Sequence, residues 1–267
     1  MIHLADRLSY FQESVIREMT RKAIEYNAIN LSQGMPDYSP PEELTEGITD
    51  AIKHNEHQYT VTYGRNDLRE KIASKYETYN KIQYDPEDEI TITCGASEAI
   101  ASSILSLLNP LDEILILEPW YENYVPITYL ANGKPVFVKL SEKDFGIDEE
   151  SFKNKIGEKT KAVVINTPHN PSGRVFSKEE LNFLSDICND NNLIAITDEI
   201  YEHIIYDDVV HISPASLNNM FERTITISGF SKTFSITGWR VGYVAAEKEL
   251  MTGIRKVHDY LTICAPS

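Results

Sequence analysis

Residues 161–198 read KAVVINTPHNPSGRVFSKEELNFLSDICNDNNLIAITD. An unbroken apolar run, Lys161–Asn166, ends in a polar turn of Pro, Asn and Gly. Ser177–Asn189 follows with apolar residues at helical spacing, and a second apolar run, Leu193–Thr197, leads into Asp198-Glu199. A continuous apolar strand is covered on both faces, and a helix joining two such strands makes them parallel. Outward from this stretch the alternation continues through short runs at Glu89–Thr93, Glu113–Leu117, Pro135–Leu140, Arg223–Ser228 and Val241–Ala245, with a further helix over Ser97–Leu108. The pattern predicts an α/β fold: a mostly parallel sheet with helices on both faces, an α-β-α sandwich. Functional groups in such sheets gather on the loops outside the carboxyl ends of the strands. Upstream, Phe11–Tyr26 reads as an amphipathic helix, then a break at Gln33-Gly34-Met35-Pro36 and Pro40-Pro41, then helices over Glu42–Asn55 and Asp67–Tyr79.

A chain of 267 residues buries a sizeable core. Its formal charge of −16 argues against nucleic acid or an anionic membrane as a partner, because either would repel it. Met1 to Tyr10 lacks a basic stretch followed by an apolar one, so no secretory signal is expected, and no apolar run has bilayer length. Cys94, Cys188 and Cys264 are odd in number and spaced unlike zinc ligands, so buried free thiols in a reducing, cytoplasmic setting are expected.

Five polar motifs fall at or near strand ends. In Thr93-Cys94-Gly95-Ala96-Ser97 the plain reading is a turn at Gly95 and a helix cap at Ser97; the alternative adds an anion held by helix N-terminal N–H groups. In Glu118-Pro119-Trp120-Tyr121 the aromatic Tyr121 either packs under the next helix or stacks on a planar ligand. Asn166-Thr167-Pro168-His169-Asn170-Pro171-Ser172-Gly173 is a polar turn that also presents the Asn170 amide between two stiffening prolines. Thr197-Asp198-Glu199-Ile200-Tyr201 offers a strand-end carboxylate, suited to a turn cap or to a protonated ring nitrogen, with Tyr201 three residues on. Ser228-Gly229-Phe230-Ser231-Lys232-Thr233-Phe234 sets a lysine among small and apolar residues, where desolvation lowers its pKa and favours a nucleophilic amine. Arg240, past a turn in Gly238-Trp239-Arg240, has the fork geometry for a phosphate. His54 and His57 lie on a polar helix end, and His203 beside Glu202 has no evident co-ligands, so no metal is assigned.

In this order, the motifs resemble the class I aminotransferases of fold type I, within them the branch of kynurenine/glutamine transaminases and bacterial aspartate-type aminotransferases. The resemblance runs from Phe11-Gln12-Glu13-Ser14-Val15-Ile16 to Thr262-Ile263-Cys264-Ala265-Pro266. It implies pyridoxal 5'-phosphate as cofactor, held covalently as an aldimine by Lys232, which then carries the proton between substrate Cα and the cofactor. It implies Asp198 on the pyridine nitrogen, Asn170 and Tyr201 on the phenolic oxygen, and Tyr121 stacked on the ring. It implies a phosphate held by Gly95, Ala96 and Ser97 with Ser231 and Arg240, and by Tyr59 reaching the neighbouring subunit of a homodimer. Gly34 is implied as the backbone position that closes over substrate, and Asn170 is implied at the substrate as well as at the cofactor. The implied reaction moves the amino group of an L-amino acid to a 2-oxo acid through pyridoxamine phosphate.

The chain departs from the family pattern in two places. Gly229 stands where many relatives carry a hydroxyl that touches the phosphate, leaving Ser228 or Ser231 to compensate. The sequence ends at Ser267, before the C-terminal small domain that carries the arginine for the substrate's α-carboxylate, so a truncated chain with exposed apolar surface is expected. Residues 1–40 are read as an N-terminal segment belonging with the small domain, and 41–267 as the large cofactor-binding domain. The competing readings are a carbon–sulfur β-lyase on the same cofactor, against which Tyr201 counts because many such lyases carry His there; an inactive truncated homologue; and a DNA-binding regulator, against which the charge counts.

Overall fold

The computed structural model describes residues 3–267; Met1 and Ile2, part of the stretch read for a secretory signal, lie outside the described residues. In chain order come α1 (Val15–Glu25), α2 (Glu42–Lys53), α3 (Asn66–Lys75), β1 (Ile90–Thr93), α4 (Gly95–Leu107), β2 (Glu113–Glu118), α5 (Tyr124–Leu130) and β3 (Lys134–Lys139). Then follow α6 (Glu149–Lys153), β4 (Thr160–Asn166), α7 (Lys178–Asp190), β5 (Ile194–Asp198), β6 (Thr224–Gly229), β7 (Gly242–Ala246) and α8 (Lys248–Thr262). The seven strands form one sheet in the order β1-β7-β6-β5-β4-β2-β3. All neighbours are parallel except β7, which runs antiparallel to both β1 and β6.

Side chains that alternate along a strand point to opposite faces, and here both faces are apolar. Ile114, Ile116, Val164 and Ile196 meet Ile100 and Ile104 of α4, Tyr124 of α5, and Met251 and Ile254 of α8. Leu115, Leu117, Val163 and Ile165 meet Phe152 of α6 and Leu181, Leu184 and Ile187 of α7 on the other face. That is why these strands read as unbroken apolar runs, and it is the sandwich expected from them.

Element limits shift where caps and turns decide them. The first helix starts at Val15 rather than near Phe11, because the Ser14 hydroxyl accepts from Arg17 N–H at 3.2 Å and opens the helix there. The expected Asp67–Tyr79 helix divides into α3 and a wider π-helical turn, Tyr76–Asn80, that ends on Lys81 in the left-handed region. Ser97 does not cap α4: the helix begins at Gly95, and Glu98 folds back to accept the Cys94 N–H at 2.8 Å. Of the three cysteines, all free, only Cys188 is buried, and burial pushes its thiol up to about 12; Cys94 and Cys264 are half-buried. Neither α1 nor α2 buries a residue fully, and Ile24, Ile29, Leu31, Tyr59 and Tyr260 are exposed. No helix among the described residues is long and apolar enough to cross a membrane.

Helix α7 opens with a full capping box: Ser177 accepts the Glu180 N–H at 3.2 Å and Glu180 accepts the Ser177 N–H at 2.8 Å. Ser177→Ala is expected to cost about 0.5–2 kcal/mol in denaturant unfolding, and an unchanged midpoint would show that the cap adds nothing to this helix.

Candidate functional site

Because β2, β4, β5 and β6 are parallel, Glu118, Asn166, Asp198 and Gly229 all end at one edge of the sheet. β1 ends there too, and antiparallel β7 begins there: Thr93 and Gly229 are both in register with Gly242. The motifs at positions 93–97, 118–121, 166–173, 197–201 and 228–240 are thereby brought together. They enclose a cavity of about 520 Å³. Lys232, Asp198, Tyr201, Tyr121, Asn170, Ala96, Ser97, Ser231, Arg240 and Gly34 line it. Gly95 lies directly behind it, and Tyr59, 79% exposed, lies outside it.

Asp198 is the buried floor, 3% exposed. Its Oδ2 accepts from the Tyr124 hydroxyl at 2.7 Å and its Oδ1 from the Ile200 N–H at 3.3 Å, so it serves a turn as well as the cavity. No cation pairs with it among the described residues. Burial therefore raises its carboxyl to about 6, against the pull of those two donors. The Asn166 amide donates to the Asp198 carbonyl at 2.8 Å and accepts the Asn170 N–H at 2.6 Å, locking two site loops to each other. The Asn170 side chain has no partner of its own among the described residues.

Lys232 Nζ donates to the Gly34 carbonyl at 2.6 Å and lies 5.7 Å from the Tyr201 ring centre. Desolvation, and then the neighbouring Arg240, lower its pKa. Burial, and then the charges of Asp198 and Tyr121, push Tyr201 up to about 12. Tyr121 stands edge-on to Tyr124, with ring centres 5.6 Å apart.

Around Arg240 the backbone is crowded. A Cβ on Gly95, whose φ is +73°, would lie 2.3 Å from the Arg240 guanidinium, and one on Gly242 would lie 2.5 Å from the Ala96 nitrogen. Arg240 itself is left-handed, with φ 58°. Gly229 packs so closely on Gly242 that a side chain there would meet its Cα at 2.9 Å, leaving no room for a hydroxyl residue. Ser228 is turned into the core, donating to Glu202 at 2.8 Å, which leaves Ser231 as the hydroxyl on the cavity.

Residues 26–267 match the family described as aminotransferase class I and II. The chain belongs to that family. A probable N-succinyldiaminopimelate aminotransferase of Mycobacterium tuberculosis is 38% identical over 258 residues, 96% of this chain and 65% of that protein. An aspartate aminotransferase of Pyrococcus abyssi is 40% identical, over 98% of this chain and 68% of its own length. The solved structure of the M. tuberculosis N-succinyldiaminopimelate aminotransferase superimposes with a TM-score of 0.96 at 37% identity, covering 98% of this chain and 69% of that one. This class I and II chain thus spans about two thirds of the length of the relatives it matches.

Two residues of the site escaped the sequence reading. Tyr124 opens α5 three residues after Tyr121 and stands edge-on to it, and Asn166 pairs in register with Asp198 one strand over. The fold also joins His211, rather than His203, to the acidic pair after Asp198. His211 lies 2.7 Å from Glu199, and Glu199, Glu202 and His211 bring ligand atoms within 4.8 Å of one another. The carboxylate oxygens there are taken by Thr197, Ser213, Lys75, Asn80 and Ser228.

Tyr124→Phe removes a donor that holds Asp198 down, so the carboxyl should titrate about one unit higher, the size of one charge-assisted hydrogen bond; the infrared carboxyl band followed against pH reads this. Asp198 raised from 3.8 to about 6 favours folding fully only below the unfolded value, and that stability is lost as pH rises through about 6. Asp198→Asn, whose oxygen keeps the Ile200 N–H while its amide donates to the Tyr124 oxygen, should therefore stabilise the cofactor-free chain at neutral pH by on the order of 1–3 kcal/mol. Unfolding midpoints that coincide at neutral pH would contradict it.

Proposed function

We propose that the chain works as a pyridoxal-phosphate-dependent aminotransferase, moving the amino group of an L-amino acid to a 2-oxo acid. The observation that carries the reading is the buried Asp198, with no cation beside it among the described residues, facing the same cavity as a lysine of lowered pKa and an arginine that pairs with no carboxylate among those residues. The residues fit the cofactor. A pyridinium would give Asp198 its missing cation, and the crowded backbone at Gly95 and Gly242 leaves N–H groups and Arg240 for a phosphate. When bound, the cofactor supplies an electron sink for the pair left at substrate Cα.

Lys232 would hold the cofactor covalently and, once the substrate's amine has displaced it, its freed Nζ would take and return the Cα proton, a role helped by a pKa lowered through burial and Arg240. Asp198 would hold the ring-nitrogen proton, Asn170 and Tyr201 would donate to the phenolic oxygen, and Tyr121 would supply an aromatic face for the ring. Ala96 and Ser97 with Gly95, Ser231 and Arg240 hold the phosphate. Gly34 covers the substrate. Tyr59, exposed here, serves the site of the neighbouring subunit in a homodimer. Residues 1–40 belong with a small domain and 41–267 form the large one; the enzyme acts in cytoplasmic amino-acid metabolism.

The test is the visible spectrum of the chain with pyridoxal phosphate. A band that is absent in Lys232→Ala and is converted by amino acids supports transfer. Lys232→Ala should lower turnover by more than the ~10²–10⁴ of a single acid–base group, because tethering is lost as well. Near-normal transamination in that variant would show the lysine misassigned. Pyruvate and ammonia released from a sulfur amino acid without any 2-oxo acid would turn the reading to a lyase.

A further inference from the structure

Helix α4 presents its N-terminus to the cavity and to Arg240, yet carries a carboxylate, Glu98, in its first turn. A helix N-terminus attracts one anion readily, but a phosphate and a carboxylate gathered there repel each other. Glu98 is buried and cannot shed its charge into water. Its Oε2 accepts from the Cys94 N–H at 2.8 Å; its Oε1 accepts from the Ser102 hydroxyl at 2.8 Å and lies 2.8 Å from His258 Nδ1.

His258 is fully buried on α8, and its Nε2 lies 2.7 Å from the Thr62 carbonyl. A carbonyl only accepts, so Nε2 carries a hydrogen. Nδ1 faces a carboxylate oxygen, so a second proton lies between His258 and Glu98. Written on nitrogen or on oxygen, that proton leaves the pair neutral; its loss leaves one full negative charge in the first turn of α4.

Beyond the Cys94 N–H, the Ser102 hydroxyl and His258 itself, no cation among the described residues pairs with Glu98. Asp259 on α8 adds negative charge, Thr262 contributes only a hydroxyl at 3.4 Å from Nδ1, and Arg255 is turned away onto Thr91 and the Glu87 and Ile90 carbonyls, over the Tyr63 ring. Burial works against the imidazolium, but the hydrogen bond and charge of Glu98, with the Thr62 carbonyl, hold His258 above its ordinary value.

We propose that the proton shared by His258 and Glu98 is a condition for tight phosphate binding at the α4 N-terminus, making His258 a positioning residue that acts through Glu98. The inference rests on reading the cavity as a pyridoxal phosphate site. The same imidazole also holds the carbonyl of Thr62, three residues after Tyr59, in the loop between α2 and α3.

The experiment compares dissociation constants of pyridoxal phosphate and of pyridoxal, which lacks the phosphate, by absorption titration of the cofactor-free chain between about pH 6 and 10. The ratio isolates the phosphate. Its advantage should fall roughly tenfold, the size of a one-unit coupling between neighbouring charges, as His258 deprotonates. By reciprocity, saturating inorganic phosphate should raise the His258 pKa, read by NMR on the ring carbon proton, by about one unit. Glu98→Gln keeps the contact, since its amide donates to Nδ1 of a neutral ring, and should abolish the fall. A phosphate advantage that persists while His258 titrates, a ring that does not titrate in that range, or a fall retained in Glu98→Gln each overturns the proposal. The absence of a Lys232-dependent band with either compound overturns the cofactor reading and this inference together.

Discussion

A carboxylate sits at the end of the central strand β5 with no cation beside it among the described residues, and the site is arranged around that fact. Asp198 is 3% exposed and is held by a tyrosine hydroxyl and one N–H. Neutral donors offset only part of the cost of desolvating an ionised group. The carboxyl responds by moving up to about 6, close to the point where it keeps its proton. A cationic ligand that entered the cavity would reverse that balance, so the energy withheld from folding becomes energy for binding. The neighbours enforce the arrangement: Asn166 clamps the Asp198 backbone, and Tyr124, rooted in the core against the sheet, fixes one carboxylate oxygen.

The sheet's direction does the rest. With β7 reversed between β1 and β6, the α4 N-terminus, the Gly229–Lys232 turn and Arg240 all meet at one edge. Close approach of three backbone segments there requires glycine at Gly229 and Gly242, since any Cβ would strike backbone. The missing hydroxyl at position 229 is thus explained by packing. The cluster of Glu199 and Glu202 with His211 and Lys75 braces the turn after Asp198 from behind, through hydrogen bonds within the protein.

Much of this was legible in the chain, for physical reasons that differ by element. The strands were readable to within a residue or so because burial on both faces leaves an unbroken apolar run; Lys161–Asn166 and Thr160–Asn166 differ by one residue. Helix starts were less readable, because they depend on which side chain reaches back to the open N–H groups. Ser14 and Ser177 do so, whereas at α4 it is Glu98, four residues along from Cys94, that does. The polar motifs were visible as motifs, and Lys232, Asp198, Asn170 and Tyr121 meet at one cavity. Contacts across long stretches of chain were not visible: nothing local ties Tyr124 to Asp198, His211 to Glu199, or His258 to Glu98. The Tyr124 and His258 pairs exist only once the sheet order brings their elements side by side, and the His211 pair only once the connection after β5 folds back on its own start.

The hydrogen bond from Lys232 Nζ to the Gly34 carbonyl joins residues 198 positions apart, and Tyr38 donates to the Lys232 carbonyl at 2.8 Å beside it. An amine that forms a covalent bond gives up donors, and the first partner to lose one is Gly34. The segment around Gly34 is thus the part of the chain to which Lys232 Nζ is tied, so a change in the donors of that nitrogen would be felt there first, whereas the Tyr38 contact is made to the Lys232 carbonyl and would remain.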